Sequence, residues 1–184
     1  MRVISGNLRG KKLIYPDNEM TRPLRDMVKE SIFNLIEHSK KINFKLNNSK
    51  ILDLFSGSGS FGIECISREA GMVTFVENNK DTLKVLEKNL LGISQTDKFE
   101  LIKKDCFKYL KEEKLKFYNL IFMDPPFKEI KINQLITDIK NKKILSSDGI
   151  IIVHRHKKDN VKLSESINIL DERIYGISKI TIGN

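Results

Sequence analysis

One run of twelve residues constrains this chain more than any other: Ile51-Leu52-Asp53-Leu54-Phe55-Ser56-Gly57-Ser58-Gly59-Ser60-Phe61-Gly62. Apolar residues around a single acid predict a buried strand over 51–55. The glycines and serines after it predict a sharp turn, and residues 61–69 return to helical spacing. Glycine reaches backbone angles closed to other residues and carries no side chain to block a ligand, so Gly57 and Gly59 predict an open turn. A helix starting there aims unpaired N–H groups and the positive end of its dipole back at the turn. A nucleotide-like cofactor is therefore expected on this segment, with Ser56 and Ser58 among the residues around it.

The chain beyond residue 50 alternates. Strands are predicted at 51–55, 72–76, 99–103, 119–123 and 149–153, and helices at 61–69, 80–91, 106–112 and 132–140. That alternation predicts an α/β fold with a mostly parallel sheet wrapped by helices. Two more β-prone runs, 167–170 and 177–182, flank a turn at 171–176 and predict an antiparallel pair closing a seven-stranded sheet. Dinucleotide dehydrogenases of standard topology lack such a pair. Upstream, residues 2–6 and 11–15 predict a small hairpin with Gly10 in its turn and Arg9, Lys11 and Lys12 near its tip. Residues 24–38 place Val28, Ile32, Leu35 and Ile36 on one helical face, with Arg25 and Lys29 on another that reads as solvated. The Asn/Lys-rich segment 40–50 reads as a linker. Two units result: a basic hairpin-and-helix extension at 1–46 and a core at 47–184.

Charge is unevenly spread along this organisation. The chain carries 33 Lys/Arg against 24 Asp/Glu, a net charge of +9, and residues 1–50 hold 11 against 5, or +6 of it. A basic first quarter suits a phosphate-backbone partner. Arg22, beside the rigid Pro23, joins Arg9, Lys11, Lys12 and Arg25 as candidate phosphate contacts. No apolar run approaches the roughly 20 residues that span a bilayer, and the N-terminus lacks a signal-peptide core, so a cytoplasmic protein without a membrane partner is expected. One core accounts for the apolar positions, which predicts a monomer. Cys65 and Cys106 lack ligand-spaced partners and read as buried thiols, and no metal site is expected.

The cofactor is not settled by the turn alone. Gly57 to Gly62 matches G-x-G-x-x-G, and Glu77, with Asn78 beside it, lies at the distance where an acid accepts from ribose hydroxyls. A nicotinamide dinucleotide and S-adenosyl-L-methionine both fit. Three features favour the second. Asp53 lies within an apolar strand, where a carboxylate is costly unless paired; a cationic amino-acid group suits it and a pyrophosphate does not. After the third predicted strand, Asp105 is placed to accept from an adenine amine while the Cys106 backbone donates to a ring nitrogen, although Asp105 serves equally as a helix N-cap. Finally, the apolar run Asn119-Leu120-Ile121-Phe122-Met123 ends in Asp124-Pro125-Pro126-Phe127. Two prolines stop a sheet and fix the backbone. They leave a carboxylate, a rigid carbonyl and an aromatic ring at the sheet edge where α/β ligands bind.

That tetrapeptide suits a nucleobase amine, whose lone pair is delocalised into the ring. Asp124 and the Pro125 carbonyl can accept both N–H bonds and aim the nitrogen, and Phe127 can stack on the extruded base. With Asp53, Phe55, Gly57, Gly59, Glu77 and Asp124 to Phe127 in this order, the chain resembles class I S-adenosylmethionine-dependent amino-methyltransferases, which have a Rossmann-like fold. More narrowly it resembles the bacterial 16S ribosomal RNA guanine-N2 methyltransferase family. That likeness extends to Arg2-Val3-Ile4-Ser5-Gly6, Arg9-Gly10-Lys11, Arg22-Pro23 and the closing Tyr175-Gly176. It implies methyl transfer to one guanine of 16S rRNA in the small subunit or its assembly intermediate. It also implies a cofactor site of Asp53, Phe55, Gly57, Gly59, Glu77 and Asp105, with Asp124, Pro125 and Phe127 on the guanine. The chain departs from the family at Leu24, Met27 and His154, where Thr, Arg and often an acid stand. His154-Arg155-His156 reads as surface or as a basic RNA-facing edge. Amino-methylation of another RNA or of DNA, and non-catalytic RNA binding, are the competing readings.

Overall fold

The computed structural model describes residues 1–15, 26–113, 115–126 and 128–184. Apolar and β-branched runs form seven strands: β1 (Lys50–Leu54), β2 (Met72–Val76), β3 (Phe99–Ile102), β4 (Tyr118–Met123), β5 (Leu145–His156), β6 (Ile169–Tyr175) and β7 (Ser178–Gly183). They lie in the order β3-β2-β1-β4-β5-β7-β6. The first five are parallel, β7 runs antiparallel to β5, and β6 pairs antiparallel with β7. Among the described residues five α-helices accompany them: α1 (Asp26–His38), α2 (Ser60–Ser67), α3 (Lys80–Leu91), α4 (Cys106–Tyr109) and α5 (Ile132–Lys142). This is the expected Rossmann-like methyltransferase sheet with its closing antiparallel pair. The winding reverses between β1 and β4, and such a reversal opens a ligand crevice at the carboxyl ends of those two strands.

Strands buried on both faces need apolar residues at nearly every position, and the central segments 51–54, 120–123 and 150–153 have them at all but Asp53. Ile51, Leu120, Phe122, Ile150 and Ile152 pack under α1, α2 and α3. Their alternates Leu52, Leu54, Ile121, Met123, Ile151 and Val153 pack under α4 and α5. On the first face Phe33 of α1, Phe61 of α2 and Phe122 of β4 stack in series, with centroids 5.2 and 3.8 Å apart.

Residues 1–15 form less sheet than the sequence predicts. Arg2 and Lys12 make an isolated antiparallel bridge, and Gly10 turns the chain at φ 84° as expected. The segment is held by side chains of the core. The buried Glu64 carboxylate of α2 accepts from the N–H groups of Ile4 at 2.7 Å and Ser5 at 2.9 Å. It also accepts from Arg68 Nε at 2.9 Å and pairs with Lys29 Nζ at 3.4 Å. Lys29 is thus buried, not solvated: Phe33, one turn along, widens the apolar stripe of α1 until it takes in position 29. Its Nζ also donates to the Arg2 carbonyl and Ser60 Oγ. Burial pulls this ammonium below its ordinary range despite Glu64 beside it.

Other boundaries shift for physical reasons. Segment 40–50 is pinned by buried Ile42, Leu46 and Ser49, so it packs where a linker was expected. The third strand ends at Ile102 and α4 at Tyr109, earlier than predicted. The predicted turn at 171–176 belongs largely to β6, whose charged Asp171, Glu172 and Arg173 suit an edge strand. The chain reverses instead at Gly176, φ 61°. Cys65 and Cys106 are buried free thiols. Among the described residues no helix is long and apolar enough to cross a membrane.

Replacing Glu64 by Ala takes the counter-charge from the buried Lys29 and the acceptor from the Ile4 and Ser5 N–H groups. Denaturant unfolding should show a loss of about 3–5 kcal/mol, and hydrogen exchange should quicken first at Ile4 and Ser5.

Candidate active site

At the carboxyl end of β1 the backbone enters the left-handed region three times, at Phe55 (φ 58°), Gly57 (φ 58°) and Gly59 (φ 81°). The two glycines differ in use. A Cβ on Gly57 meets nothing nearer than the Phe55 carbonyl at 3.9 Å, so this residue faces open space. A Cβ on Gly59 falls 2.5 Å from Leu86 of α3, and one on Gly62 falls 2.3 Å from the Phe75 ring of β2. Gly59 and Gly62 are therefore packing glycines, and Gly57 is the one that leaves the turn open. The close approach of α2 brings the Gly62 N–H to Asp53 Oδ2 at 3.1 Å. Asp53 is 1 % exposed. Burial pushes its carboxyl well above the ordinary aspartate range, opposed by the Gly62 N–H and helped by the negative charges of Asp124 and Glu77.

Ser56 and Ser58 shape the turn. The Ser56 hydroxyl donates to Asp53 O at 2.6 Å and accepts from Val76 N at 2.9 Å, locking β1 to β2. The Ser58 carbonyl accepts from Asn89 Nδ2 of α3. Glu77, just past β2, folds back: Oε2 accepts from Gly57 N, and Oε1 from Asn78 N and Asn79 N, all at 2.9 Å. A carboxylate has about four acceptor positions, so Oε2 retains one for a hydroxyl. Asp105 is the N-cap of α4, taking Lys108 N on Oδ1, and its Oδ2 accepts from Asn78 Nδ2 at 3.3 Å. Cys106 begins α4, where a backbone N–H has no partner within the helix.

Across the crevice, β4 ends at Met123, paired with Val153 of β5. One step further the same register sets Asp124 opposite His154. Asp124 Oδ1 and His154 Nδ1 lie 2.7 Å apart, and His154 is only 7 % exposed. Arg155, 3 % exposed, donates through Nη1 to the Pro126 carbonyl at 3.0 Å and through Nε to Asp159. Partial burial alone would raise the Asp159 carboxyl, but its bonds to Arg155 and the Val161 N–H hold it below the usual range. The Pro126 carbonyl also accepts from Glu129 N. Among the described residues neither the Pro125 carbonyl nor Asp124 Oδ2 has a hydrogen-bond donor.

The structure thus gathers Asp53, Phe55, Ser56, Gly57, Ser58, Gly59, Glu77, Asn78, Asp105 and Cys106 at the ends of β1 to β3, with Asp124 and Pro125 at the end of β4. Arg9 and Lys12 are exposed on the extension. Lys11 is half-buried, its Nζ donating at the surface to the Gly92 carbonyl after α3. Arg22, Arg25 and Phe127 lie outside the described residues. His154 and Arg155 are a correction, being buried supports of the Asp-Pro-Pro turn and not surface. Strand alternation carried past residue 153 places His154 on the same face as Ile152, a signal present in the sequence.

All of residues 1–184 match the family described as Conserved hypothetical protein 95. The ribosomal RNA small subunit methyltransferase D of Buchnera aphidicola (subspecies Acyrthosiphon pisum) is 32 % identical over 172 residues, covering 94 % of this chain and 86 % of that one. Its namesake in Haemophilus influenzae is 32 % identical over 179 residues, covering 96 % and 90 %. Among solved structures, Escherichia coli yhhF superposes with a TM-score of 0.83 at 25 % identity, covering 99 % of this chain and 96 % of that one. HI0767 of H. influenzae gives 0.76 at 30 % identity, covering 98 % and 96 %.

Asp53→Asn keeps an acceptor for Gly62 N–H and removes a buried charge. In the wild type the folded carboxyl holds its proton more tightly than the unfolded chain does. That group's contribution is therefore complete below the ordinary value of 3.8 and is lost as pH rises through the higher folded value. Thermal melts should show the variant gaining stability relative to wild type as pH rises above about 4.

Proposed function

We propose that this chain, a ribosomal RNA methyltransferase belonging to the Conserved hypothetical protein 95 family together with the ribosomal RNA small subunit methyltransferase D proteins, methylates the exocyclic N2 amine of a guanine in 16S rRNA. The observation that carries the reading is Asp124, fixed at the β1/β4 reversal beside the unclaimed Pro125 carbonyl. Two acceptors on a rigid turn fit the two N–H groups of a nucleobase amine.

The residues present fit S-adenosylmethionine as the methyl donor. Gly57 offers the open approach, and Glu77 retains an acceptor for a ribose hydroxyl. Asp53 is a carboxyl that burial holds well above the ordinary aspartate range, and a buried carboxylate is costly unless paired, so it suits the donor's ammonium group directly or through a bridge. Asn78, Asp105 and the Cys106 N–H stand where an adenine would be read. When bound there, the cofactor supplies an electrophilic methyl group on a sulfonium. The chain's own contribution is to bind, orient and stabilise charge. Asp124 and Pro125 direct the nitrogen lone pair, replacing random encounter by alignment. Negative charge on Asp124 favours the cationic nitrogen that forms, and proton loss from that nitrogen is easy, so Asp124 acts by position and charge before basicity.

Arg9 and Lys12 meet the RNA backbone in this reading, with Arg22 and Arg25 assigned to the same surface from the sequence. Phe127 is assigned to stack on the extruded guanine. The substrate is the small subunit or its assembly intermediate, met in the cytoplasm by a monomer.

Labelled S-adenosylmethionine offered with unmodified small subunits, naked rRNA and duplex DNA tests this. Label should appear at an rRNA guanine; label in DNA alone would overturn the reading. Asp124→Ala should lower kcat on the order of a hundredfold or more while S-adenosylhomocysteine binding, followed by calorimetry, is retained. A variant methylating at the wild-type rate would remove Asp124 from the mechanism.

A further inference from the structure

Resting on that reading, we infer that His154 is a positioning residue for methyl transfer, selecting which oxygen of Asp124 receives the target amine. Three observations converge on it. First, strand register makes the contact: with Met123 paired to Val153, the next residues of two parallel neighbours are Asp124 and His154. Second, Nδ1 lies 2.7 Å from Oδ1, and a carboxylate has no proton to give, so the bond itself assigns the ring proton to Nδ1. Oδ1 is thereby engaged, and Oδ2 has no partner among the described residues. Third, Nε2 is buried without a hydrogen-bond partner among the described residues, in a residue only 7 % exposed.

An unsatisfied buried nitrogen is a cost that an apolar side chain at position 154 would avoid. Ile152, two residues earlier on the same face, shows that this stretch of β5 accepts one. Among the described residues the one polar bond the ring makes is the bond to Asp124, so stability alone does not account for the imidazole. Its consequence is geometric. A carboxylate at the end of a strand can rotate about its side-chain bonds, and a donor on Oδ1 fixes Oδ2 toward the crevice. Arg155 supports the same turn from the opposite face of β5 through the Pro126 carbonyl. One oxygen and one carbonyl, Oδ2 and Pro125 O, are then held at fixed separation for the two N–H groups of the amine.

The test compares His154→Asn, His154→Gln and His154→Leu in the full chain. The Asn amide nitrogen stands where Nδ1 stands, whereas the Gln nitrogen reaches the place of Nε2. All three should bind S-adenosylhomocysteine like the wild type. Leu and Gln should lower kcat on unmodified rRNA on the order of tenfold to a hundredfold, with KM for the cofactor unchanged, and Asn should stay close to wild type. In an Asp124→Ala background the Leu change should have no further effect. With three histidines in the chain, nitrogen NMR of the imidazoles adds a readout independent of turnover. The His154 proton should sit on Nδ1 and lose its protection in Asp124→Ala.

Wild-type kcat in the Leu variant, or an Asn variant as slow as Leu, would overturn the assignment while leaving the proposed function standing. A ring proton found on Nε2 would overturn it too. If the Leu variant fails to fold, the Asn and Gln pair decides. If the wild-type protein itself leaves rRNA unlabelled, the functional reading falls and takes this inference with it.

Discussion

The contact between Asp53 Oδ2 and the Gly62 N–H is the one on which the site's geometry rests. It joins the end of β1 to the first turn of α2 across the glycine turn. It forms only because Gly62 has no Cβ, which lets α2 settle onto the Phe75 ring. Phe75 in turn meets Phe99 of β3 edge to face at 6.4 Å. Strand, turn and helix thus set one another's positions. A carboxyl this buried is a poor stabiliser with a single N–H partner, since its desolvation outweighs what one hydrogen bond returns. On the proposed reading, its partner in this otherwise apolar strand is a ligand that carries positive charge.

The extension is bound to the back of the same turn. Asn89 of α3 donates to the Ser58 carbonyl and to the Ile14 carbonyl, and accepts from Ile14 N. One amide therefore holds both the glycine turn and the N-terminal segment at Ile14. Glu64 does the corresponding work from α2, in the helix whose first turn carries the Asp53 contact. On the proposed reading, the surface that meets RNA and the turn that meets the cofactor share supports, so neither is displaced without disturbing the other.

Much of this was legible in the sequence because the relevant signals are local. Apolar, β-prone runs placed the strands, and helical spacing placed most helix limits, within a few residues. Asp-Pro-Pro stops a strand wherever it occurs, and glycine spacing marks a turn whatever surrounds it. What escaped was decided by distance in sequence. Lys29 looked solvated until Glu64, thirty-five residues away, supplied its counter-charge. Lys11 looked like a tip residue until the Gly92 carbonyl took its ammonium. The separate uses of Gly57 and Gly59 depend on Leu86, which no local pattern identifies. His154 lay between these cases: its face followed from alternation, but its partner required knowing that β4 and β5 are neighbours in parallel register.

The crevice is acidic while the chain is basic, and on the proposed reading that opposition divides the labour. Asp53, Glu77, Asp105 and Asp124 converge at the carboxyl edge of the sheet, where they favour a cationic cofactor and repel phosphate. An RNA backbone drawn to Arg9 and Lys12 is thus held off the crevice, and only an uncharged base can enter without opposing those carboxylates. Repulsion at the edge and attraction on the extension together favour a nucleotide turned out of its strand over a duplex laid across the site. The preference for an extruded base therefore comes from where the charges lie, before any contact reads the base itself.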